Sequence, residues 1–311
     1  MAKKENQHYV PLCYLKGFSE NQLNINVYDK SLKNNFTNSI KKVAQITNFY
    51  DLPNEYIPFE APEKFDRFIE KEFFSKIVEV EYSNLLNKVK ERAKEWVQHS
   101  KPDDFLVLTA DEKNDLSSYI AIQYIRRPKY RKRLWEMYSS ITKQEIEILK
   151  AFIGVAHPNL KDEAKNLKIS IDEQYSSVLH AQYLLNFSLL KELASAILNK
   201  IWIFQISLKQ PFYTSDNPIT SKAHLIDKAP DGIEGFTTEG LEIVFPLTYN
   251  ICLCLLDKKH FKLRLNQTNK FEIVDDKMVF RNNMFQYFFA ERQVFSYSND
   301  FDLIKSIEKN I

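Results

Sequence analysis

The chain changes character at residues 201–218, which read IWIFQISLKQPFYTSDNP. The first six of them form a nearly continuous apolar run, which is typical of a buried strand. The last five, Thr214-Ser215-Asp216-Asn217-Pro218, place two hydroxyls, a carboxylate and an amide close behind that run. Buried polar groups need hydrogen-bond partners or a ligand. The stretch therefore predicts a strand that ends in either a ligand site or a buried polar network.

Helical patterns come before this stretch, and strand patterns come after it. Apolar residues at helical spacing predict helices over 63–96, 111–127, 141–153 and 171–198. Apolar and alternating runs predict strands over 202–208, 241–245, 251–256, 261–265, 271–274 and 294–297, with one more helix over 275–287. A small hairpin is predicted within residues 25–36.

This order of elements predicts an α+β fold. A central helical bundle would pack against a mainly antiparallel β-sheet built from the N-terminal hairpin and the C-terminal strands. The length of 311 residues allows one large domain, or two at roughly 150 residues each. We expect a single α+β domain over residues 1–311, with an N-terminal hairpin segment (1–60), a helical region (61–200) and a β-rich region (201–311).

The composition excludes several classes of protein. With 44% apolar and 27% charged residues the chain is neither disordered nor collagen-like, and a formal net charge of +2 leaves nucleic-acid binding open. Only five glycines occur, and neither G-x-G-x-x-G nor G-x-x-x-x-G-K-[ST] is present, which excludes Rossmann, kinase and P-loop proteins. Three cysteines and the lack of any apolar run of about 20 residues predict a cytoplasmic protein without a membrane span.

Two local motifs do not carry the chemistry that they first suggest. Ser215-Asp216-Asn217 matches one element of the serine β-lactamases, but the chain contains no Lys-Thr-Gly or Lys-Ser-Gly, so that chemistry is excluded. Cys252 and Cys254 lie two residues apart in an apolar strand, which places both on one face. Zinc would need two more ligands at a suitable spacing, and none occurs. Both cysteines are therefore predicted to be core residues.

The long helix over 63–96 carries polar residues on its apolar face. A projection at about 100° per residue places four polar residues inside the apolar arc. They are Glu72, Lys76, Glu79 and Ser83. One interpretation is a site that uses the two glutamates. The alternative is an intrahelical pair of Glu72 with Lys76 beside a groove wall.

A second group of polar residues surrounds the end of the helix over 111–127, which Pro128 should terminate or kink. Gln123 and Arg126 share the apolar side of this helix. A basic cluster follows and comprises Arg126, Arg127, Lys129, Arg131, Lys132 and Arg133, interleaved with Tyr124, Tyr130 and Trp135. Such a cluster can bind phosphates and stack on bases, which favours nucleic acid as a partner through Arg126, Arg127, Arg131 and Arg133. A solvated helix face is the alternative.

His8 stands in Gln7-His8-Tyr9-Val10-Pro11, directly before a short helix predicted within residues 9–18. Free backbone amides and a partial positive charge gather at a helix N-terminus. We therefore expect a lowered pKa for His8, which would make it a neutral base or a ligand. The alternative is a histidine that only caps or packs.

Several of these segments together resemble a bacterial protein family. The similar segments are Gln7–Pro11, Tyr14-Leu15-x-x-Phe18, Val27–Lys30, Gln123 with Arg126-Arg127-Pro128, Trp202, Thr214–Ile219 and Phe245–Thr248, then Asn282 or Asn283, Ala290 and Val294. In this order, over roughly residues 5 to 300, the chain is similar to domain-of-unknown-function family 4238, which is found widely in bacteria.

The resemblance implies which positions belong to a shared site. These positions are His8, Gln123, Arg126, Asp216 and Asn217, with Glu72 and Glu79 similar to the family's paired glutamates. The family has Arg-Thr-Pro where this chain has Arg126-Arg127-Pro128, so it stays open which arginine faces the site. The resemblance implies no reaction.

We therefore expect one pocket that gathers residues distant in the chain. It would contain His8, Glu72, Glu79, Gln123, Arg126, Asp216 and Asn217. Glu72, Glu79 and Asp216 would hold a divalent metal ion, and a histidine and an arginine would move protons and stabilise a phosphoryl oxygen. Metal-assisted hydrolysis of nucleic-acid phosphodiesters is the functional hypothesis. The alternatives are a non-catalytic module, whose buried network is structural and whose basic aromatic cluster binds a partner, and a small-molecule pocket without metal.

Overall fold

The computed structural model describes residues 5–56, 68–99, 105–225 and 235–309. Its N-terminal elements are β1 (Asn6–His8), α1 (Leu12–Leu15) with a 3₁₀ turn (Lys16–Phe18), β2 (Asn24–Asp29), β3 (Asn34–Ser39) and β4 (Gln45–Thr47). The helices are a π-helix (Ile69–Val78), α2 (Glu79–His99), α3 (Ala110–Ile125), α4 (Pro128–Ala156), α5 (Lys161–Asn166), α6 (Tyr175–Leu184) and α7 (Phe187–Leu198). The last part contains β5 (Ile201–Ile206), β6 (Thr214–Ser215), β7 (Thr220–Ala223), β8 (Leu241–Thr248), β9 (Ile251–Leu256), β10 (Lys270–Ile273), α8 (Asp276–Phe289), β11 (Gln293–Ser296) and α9 (Asp302–Lys309).

The strands form two larger sheets and one small ribbon. A five-stranded sheet has the order β10-β5-β9-β8-β7, and a four-stranded sheet has the order β3-β2-β11-β6. All neighbours are antiparallel except β10 and β5, which run parallel. The predicted α+β class is confirmed. The predicted N-terminal hairpin is β2 and β3, and it pairs with the C-terminal strand β11.

Strand β5 is buried over its whole length because it lies inside the five-stranded sheet and both of its faces are covered. Trp202, Phe204 and Ile206 pack into the main hydrophobic core, while Ile201 and Ile203 pack into a smaller cluster on the other face. This is why the strand reads as a continuous apolar run rather than an alternating one. Cys252 and Cys254 are free, buried thiols, as predicted.

Several predicted boundaries need correction. The strand predicted over 261–265 is wrong, because a 3₁₀ helix runs over Lys262–Gln267. The helix predicted over 171–198 is two helices, and Asn186 caps the second by accepting a hydrogen bond from the Leu189 amide. The helix predicted over 141–153 is the middle of the longer α4. The helix predicted over 63–96 is described from residue 68 onward, and residues 63–67 lie outside the described part.

The corner between α3 and α4 positions the candidate site. Arg126 is the C-cap residue of α3, Arg127 precedes α4, and Pro128 takes the first position of α4. Proline is favoured there because its missing amide would have no helical partner. The predicted break at Pro128 is therefore confirmed, and it turns two neighbouring arginines in different directions. In the described ranges, no helix combines the length and apolar character that a bilayer span requires.

Candidate functional site

The guanidinium of Arg126 is the centre of a buried polar cluster. Its side chain is 1% exposed, and Nη1 donates a hydrogen bond to Glu79 Oε1 at 3.2 Å. Nη2 donates to the backbone carbonyl of His8, and the guanidinium lies 3.9 Å above the ring of Phe74. Cation–π contact and charge-assisted hydrogen bonds fix this group in one geometry.

Tyr50 holds the other side of Arg126. Arg126 Nε donates to the Tyr50 hydroxyl at 3.3 Å, and that hydroxyl lies 3.4 Å from the carbonyl of His8. Gln7 fixes the loop that carries Tyr50, because its Oε1 accepts from the Tyr50 amide at 2.6 Å. The pairing of β1 with β4 brings Gln7 to that position. The N-terminal segment therefore positions both His8 and Tyr50 against the α3–α4 corner.

The winding of the π-helix decides which glutamates face Arg126. A π-helix has about 4.4 residues per turn, so nine residues make roughly two full turns. Glu70 and Glu79 are nine residues apart, and both interact electrostatically with Arg126. In an α-helix nine residues make about two and a half turns, which would put them on opposite sides.

Glu72 points elsewhere. Its carboxylate pairs with Lys76 Nζ at 2.7 Å, and both side chains are about half exposed or more, at 49% and 65%. The alternative interpretation of an intrahelical pair is the one that the structure has. The placement of Glu72 in the shared pocket is therefore corrected, since the α-helical projection does not apply to residues 69–78.

Three polar atoms near this cluster are buried without a hydrogen-bond partner in the described part of the chain. They are His8 Nε2, Glu70 Oε2 and Gln123 Oε1. Gln123 uses its Nε2 to donate to the carbonyl of Tyr9 at 3.0 Å, so only its oxygen is left over. Buried polar atoms without partners are rare, and each one calls for an explanation such as a ligand or a proton-transfer role.

Burial shifts the pKa values of Glu70 and His8 in opposite directions. Burial, with help from the nearby Glu79 carboxylate and against Arg126, raises the pKa of Glu70 to about 7. Burial lowers the pKa of His8, although Glu79 works against it. The predicted direction for His8 is thus confirmed, but its main cause is burial rather than a helix N-terminus. A protonatable acid and a neutral base are therefore available at neutral pH.

Asp216 and Asn217 belong to a second, separate network. The carboxylate of Asp216 accepts hydrogen bonds from the backbone amides of residues 291, 292 and 293, each at 2.8 Å. Burial raises the pKa of Asp216 to about 6, against these three donors. Asn217 Nδ2 donates to the carbonyl of Phe289 at 2.8 Å. These two side chains tie the end of the strand region to the turn between α8 and β11.

Arg127 joins the second network while Arg126 joins the first. Arg127 Nη1 donates to Asn217 Oδ1 and, at 3.1 Å, to the carbonyl of Ile219. In the described residues, no hydrogen bond or ion pair of Asp216 or Asn217 involves His8, Glu79 or Arg126. The predicted site residues therefore divide between two hydrogen-bond networks, and the Tyr9 side chain interacts electrostatically with both Asp216 and Tyr50.

The predicted metal ligands do not come together. Glu72 lies on the surface with Lys76, Glu79 pairs with Arg126, and Asp216 is occupied by backbone amides. Within residues 5–56, 68–99, 105–225 and 235–309, no group of three or more histidines, cysteines, aspartates and glutamates could hold a metal ion. The donor set thus does not fit the predicted divalent ion.

Most of the basic cluster is engaged inside the protein. Arg131 donates to Ser176 and to the carbonyl of Phe49 at 2.8 Å, and Lys129 lies 3.7 Å from Glu291. Arg126 and Arg127 are buried. These contacts give Arg126, Arg127 and Arg131 partners within the protein, while the Lys132 side chain is 75% exposed.

Sequence reasoning missed Glu70 and Tyr50. The α-helical projection places Glu70 beside Ile77 at the edge of the apolar arc, outside the group of four polar residues that it selects, and no residue pattern in 69–78 signals π winding. Tyr50 lies outside the regular strands and helices, so periodicity could not select it. A partial signal was its place three residues after β4, the strand that pairs with the His8 segment.

The fold and these two clusters define an α+β protein in which consecutive arginines at a helix corner anchor two buried polar networks. The family model described as "Protein of unknown function (DUF4238)" matches residues 6–300, and the chain belongs to this family. Comparisons with curated proteins and with solved structures gave no match.

Proposed function

We propose that the protein cleaves nucleic-acid phosphodiesters by proton transfer at the cluster of His8, Glu70, Glu79 and Arg126. The observation that carries the proposal is that His8 Nε2 and Glu70 Oε2 are each buried without a partner, and that both side chains interact electrostatically with Glu79 and Arg126. The metal-assisted mechanism predicted from the sequence is not supported by any group of metal ligands in the described residues. The proposal therefore uses an acid and a base instead.

His8 suits the role of general base. The backbone at Ile40 and Lys41 acts on its imidazole and opposes the lowering of the His8 pKa, and Nε2 is left without a partner. If Nδ1 carries the proton, the neutral ring presents a lone pair at Nε2. A neutral imidazole at physiological pH can accept a proton from a hydroxyl.

Glu70 suits the role of general acid, because a carboxyl with a pKa of about 7 keeps its proton for much of the time at neutral pH. On RNA, His8 would remove the proton of a 2′-hydroxyl, whose oxygen attacks the adjacent phosphorus. The bond from phosphorus to the 5′-oxygen breaks, and Glu70 gives its proton to that oxygen. The products are a 2′,3′-cyclic phosphate and a 5′-hydroxyl, so atoms and charge balance.

The Arg126–Glu79 pair would hold the acid and the base in register and keep a cation close to them. A fixed cation lowers the energy of negative charge that develops on phosphoryl oxygens. Arg126 is itself held by four protein groups, so its role here is electrostatic and positional.

The test compares two glutamates of the same helical segment. Labelled RNA and DNA are incubated with the wild type, Glu70→Gln and Glu72→Gln, with and without a chelator. We expect chelator-resistant cleavage of RNA that leaves a 2′,3′-cyclic phosphate, that is lost in Glu70→Gln and that is unchanged in Glu72→Gln. Equal activity of Glu70→Gln and the wild type would overturn the proposal, as would cleavage that requires a metal ion.

A second candidate is a non-catalytic module. It is favoured by the full pairing of Asp216 and Arg127, which is the arrangement of a structural network rather than of a reaction site. If this candidate holds, no variant of His8 or Glu70 changes any cleavage, and the substitutions alter stability alone.

A further inference from the structure

A groove on another face of the molecule combines cationic and aromatic side chains. It lies between the 3₁₀ turn after α1, the C-terminal half of α2 and the hairpin of β8 and β9, and its volume is about 540 Å³. We call it the lysine–tyrosine groove and define it by Lys16, Lys90, Lys94, Tyr249 and Tyr297. None of these residues was selected from the sequence.

The three lysines have no carboxylate within ion-pair distance in the part of the chain that the structure describes. Lys90 lies 3.5 Å from Asn87 Oδ1, and burial lowers its pKa. Glu20 also lines the groove, so the described lining carries an excess of positive charge. Ammonium groups without acidic partners attract anions such as phosphates.

The tyrosines supply a flat surface. The rings of Tyr249 and Tyr297 stack with centroids 4.2 Å apart and an interplanar angle of 22°. Tyr249 is 37% exposed, so the stack is open to solvent at this residue. A further flat ring can extend such a stack, and any nucleobase has the required face.

The groove and the candidate site lie on two sides of α1. The Cys13 thiol interacts electrostatically with Glu79 and Arg126, and it also interacts electrostatically with Lys90. Interactions of this kind require short separations. The Cys13 side chain therefore lies within electrostatic range of both Lys90 in the groove and Arg126 in the cluster.

We propose that the lysine–tyrosine groove binds single-stranded RNA, with phosphates at the lysines and a base stacked on the tyrosine pair. This rests on the proposed function and names the surface that holds its substrate. It also differs from the assignment of Arg126, Arg127 and Arg131 to nucleic acid, since these three arginines make contacts within the protein.

The test measures binding of a fluorescent single-stranded oligoribonucleotide by anisotropy, in the Glu70→Gln background to prevent cleavage. Lys94→Met should reduce the slope of log affinity against log salt by about 0.7, because one phosphate contact is lost. Tyr249→Leu should weaken binding by roughly 5- to 100-fold, because one stacking surface is lost. Matched controls are Lys259→Met, whose side chain is 78% exposed, and Tyr56→Leu, which at 37% is as exposed as Tyr249.

The outcomes separate this inference from the proposed function. Loss of binding in both groove variants, with neither control affected, supports the groove even if no cleavage is found. Binding that is unchanged in both variants overturns the groove even if cleavage is real. A mononucleotide that competes as well as the oligonucleotide would show that a free nucleotide is the ligand, and would overturn the assignment to a strand. Circular dichroism of each variant checks that it is folded.

Discussion

Arg126 and Glu79 are 47 residues apart in the chain, and the guanidinium of one donates to the carboxylate of the other at 3.2 Å. Arg126 is the C-cap residue of α3, whereas Glu79 is the first residue after the π-helix. This pair therefore connects the α3–α4 corner to the junction between the π-helix and α2. Glu79 remains partly accessible, at 21% exposure of its side chain, while Arg126 is enclosed.

Loss of the Arg126 side chain should cost a large part of the stability of the fold. Arg126→Met leaves Glu79 without its cation and Tyr50 without its donor, so we expect the free energy of unfolding to fall by about 3 kcal/mol. Arg264→Met is the matched control, because the pair of Arg264 with Glu272 is 35% exposed on each side. That control should change stability by about 1 kcal/mol or less. Equal losses in urea denaturation would contradict a special role for Arg126.

Glu70 should make stability depend on pH in an unusual sense for an acid. Its pKa is raised from 4.5 to about 7, so the folded state favours the protonated form. The stabilisation that it provides is fully present below pH 4.5 and is lost as the pH rises through 7. Glu70→Gln should therefore gain about 2 kcal/mol over the wild type at pH 8 and nothing at pH 4.5, after allowance for partial exposure.

Glu72→Gln is the control for that experiment, since Glu72 forms an exposed pair within the same helix. Its stability curve should run parallel to that of the wild type at every pH. A Glu70→Gln curve that also runs parallel would show that the Glu70 carboxyl is not held in its protonated form.

The rate of the proposed RNA cleavage should follow a bell-shaped pH profile. The base must be neutral, and burial lowers the pKa of His8 below 6.5, which sets the acidic limb. The acid must be protonated, and the pKa of Glu70 near 7 sets the alkaline limb. His8→Ala should remove the acidic limb together with most of the rate. A profile that keeps rising through pH 9 would rule out Glu70 as the proton donor.

Asp216 should matter for folding. Asp216→Asn keeps an oxygen toward the two amides that now donate to Oδ2 and turns its amino group toward the Glu291 amide, so we expect a loss of about 1–3 kcal/mol for that one unsatisfied donor. Asp302→Asn is the matched control, since the Asp302 side chain is 82% exposed. Thermal denaturation of both variants provides the measurement. An Asp216→Asn variant that is as stable as the control would show that the contact with the Glu291 amide is dispensable.

The sequence predicts the parts of this molecule that follow from local chemistry. The α+β class, the break at Pro128, the buried cysteines and the pair of Glu72 with Lys76 all depend on periodicity or on neighbouring residues. The partners of Asp216 could not be predicted, because the amides of residues 291–293 are brought to it only by the pairing of β6 with β11.

The positions of the two arginines also depend on tertiary structure. Arg126 and Arg127 are chemically equivalent in the sequence, and only the angle of the corner sends one to Glu79 and the other to Asn217. Glu70 was missed for a related reason. Winding is a property of the packed helix, so a projection that assumes α geometry assigns the wrong glutamate.

The π-helix over Ile69–Val78 also affects where the protein unfolds locally. Such winding is uncommon and persists where the surrounding structure imposes it, so this stretch should unwind before the α-helix that continues it. Amide hydrogens of residues 73–78 would then exchange with solvent sooner than those of residues 85–93. Transient unwinding would expose the Glu70 side chain while Glu79 stays in place. The rate at which water reaches the buried Glu70 carboxyl would then be set by the rate of local backbone unfolding.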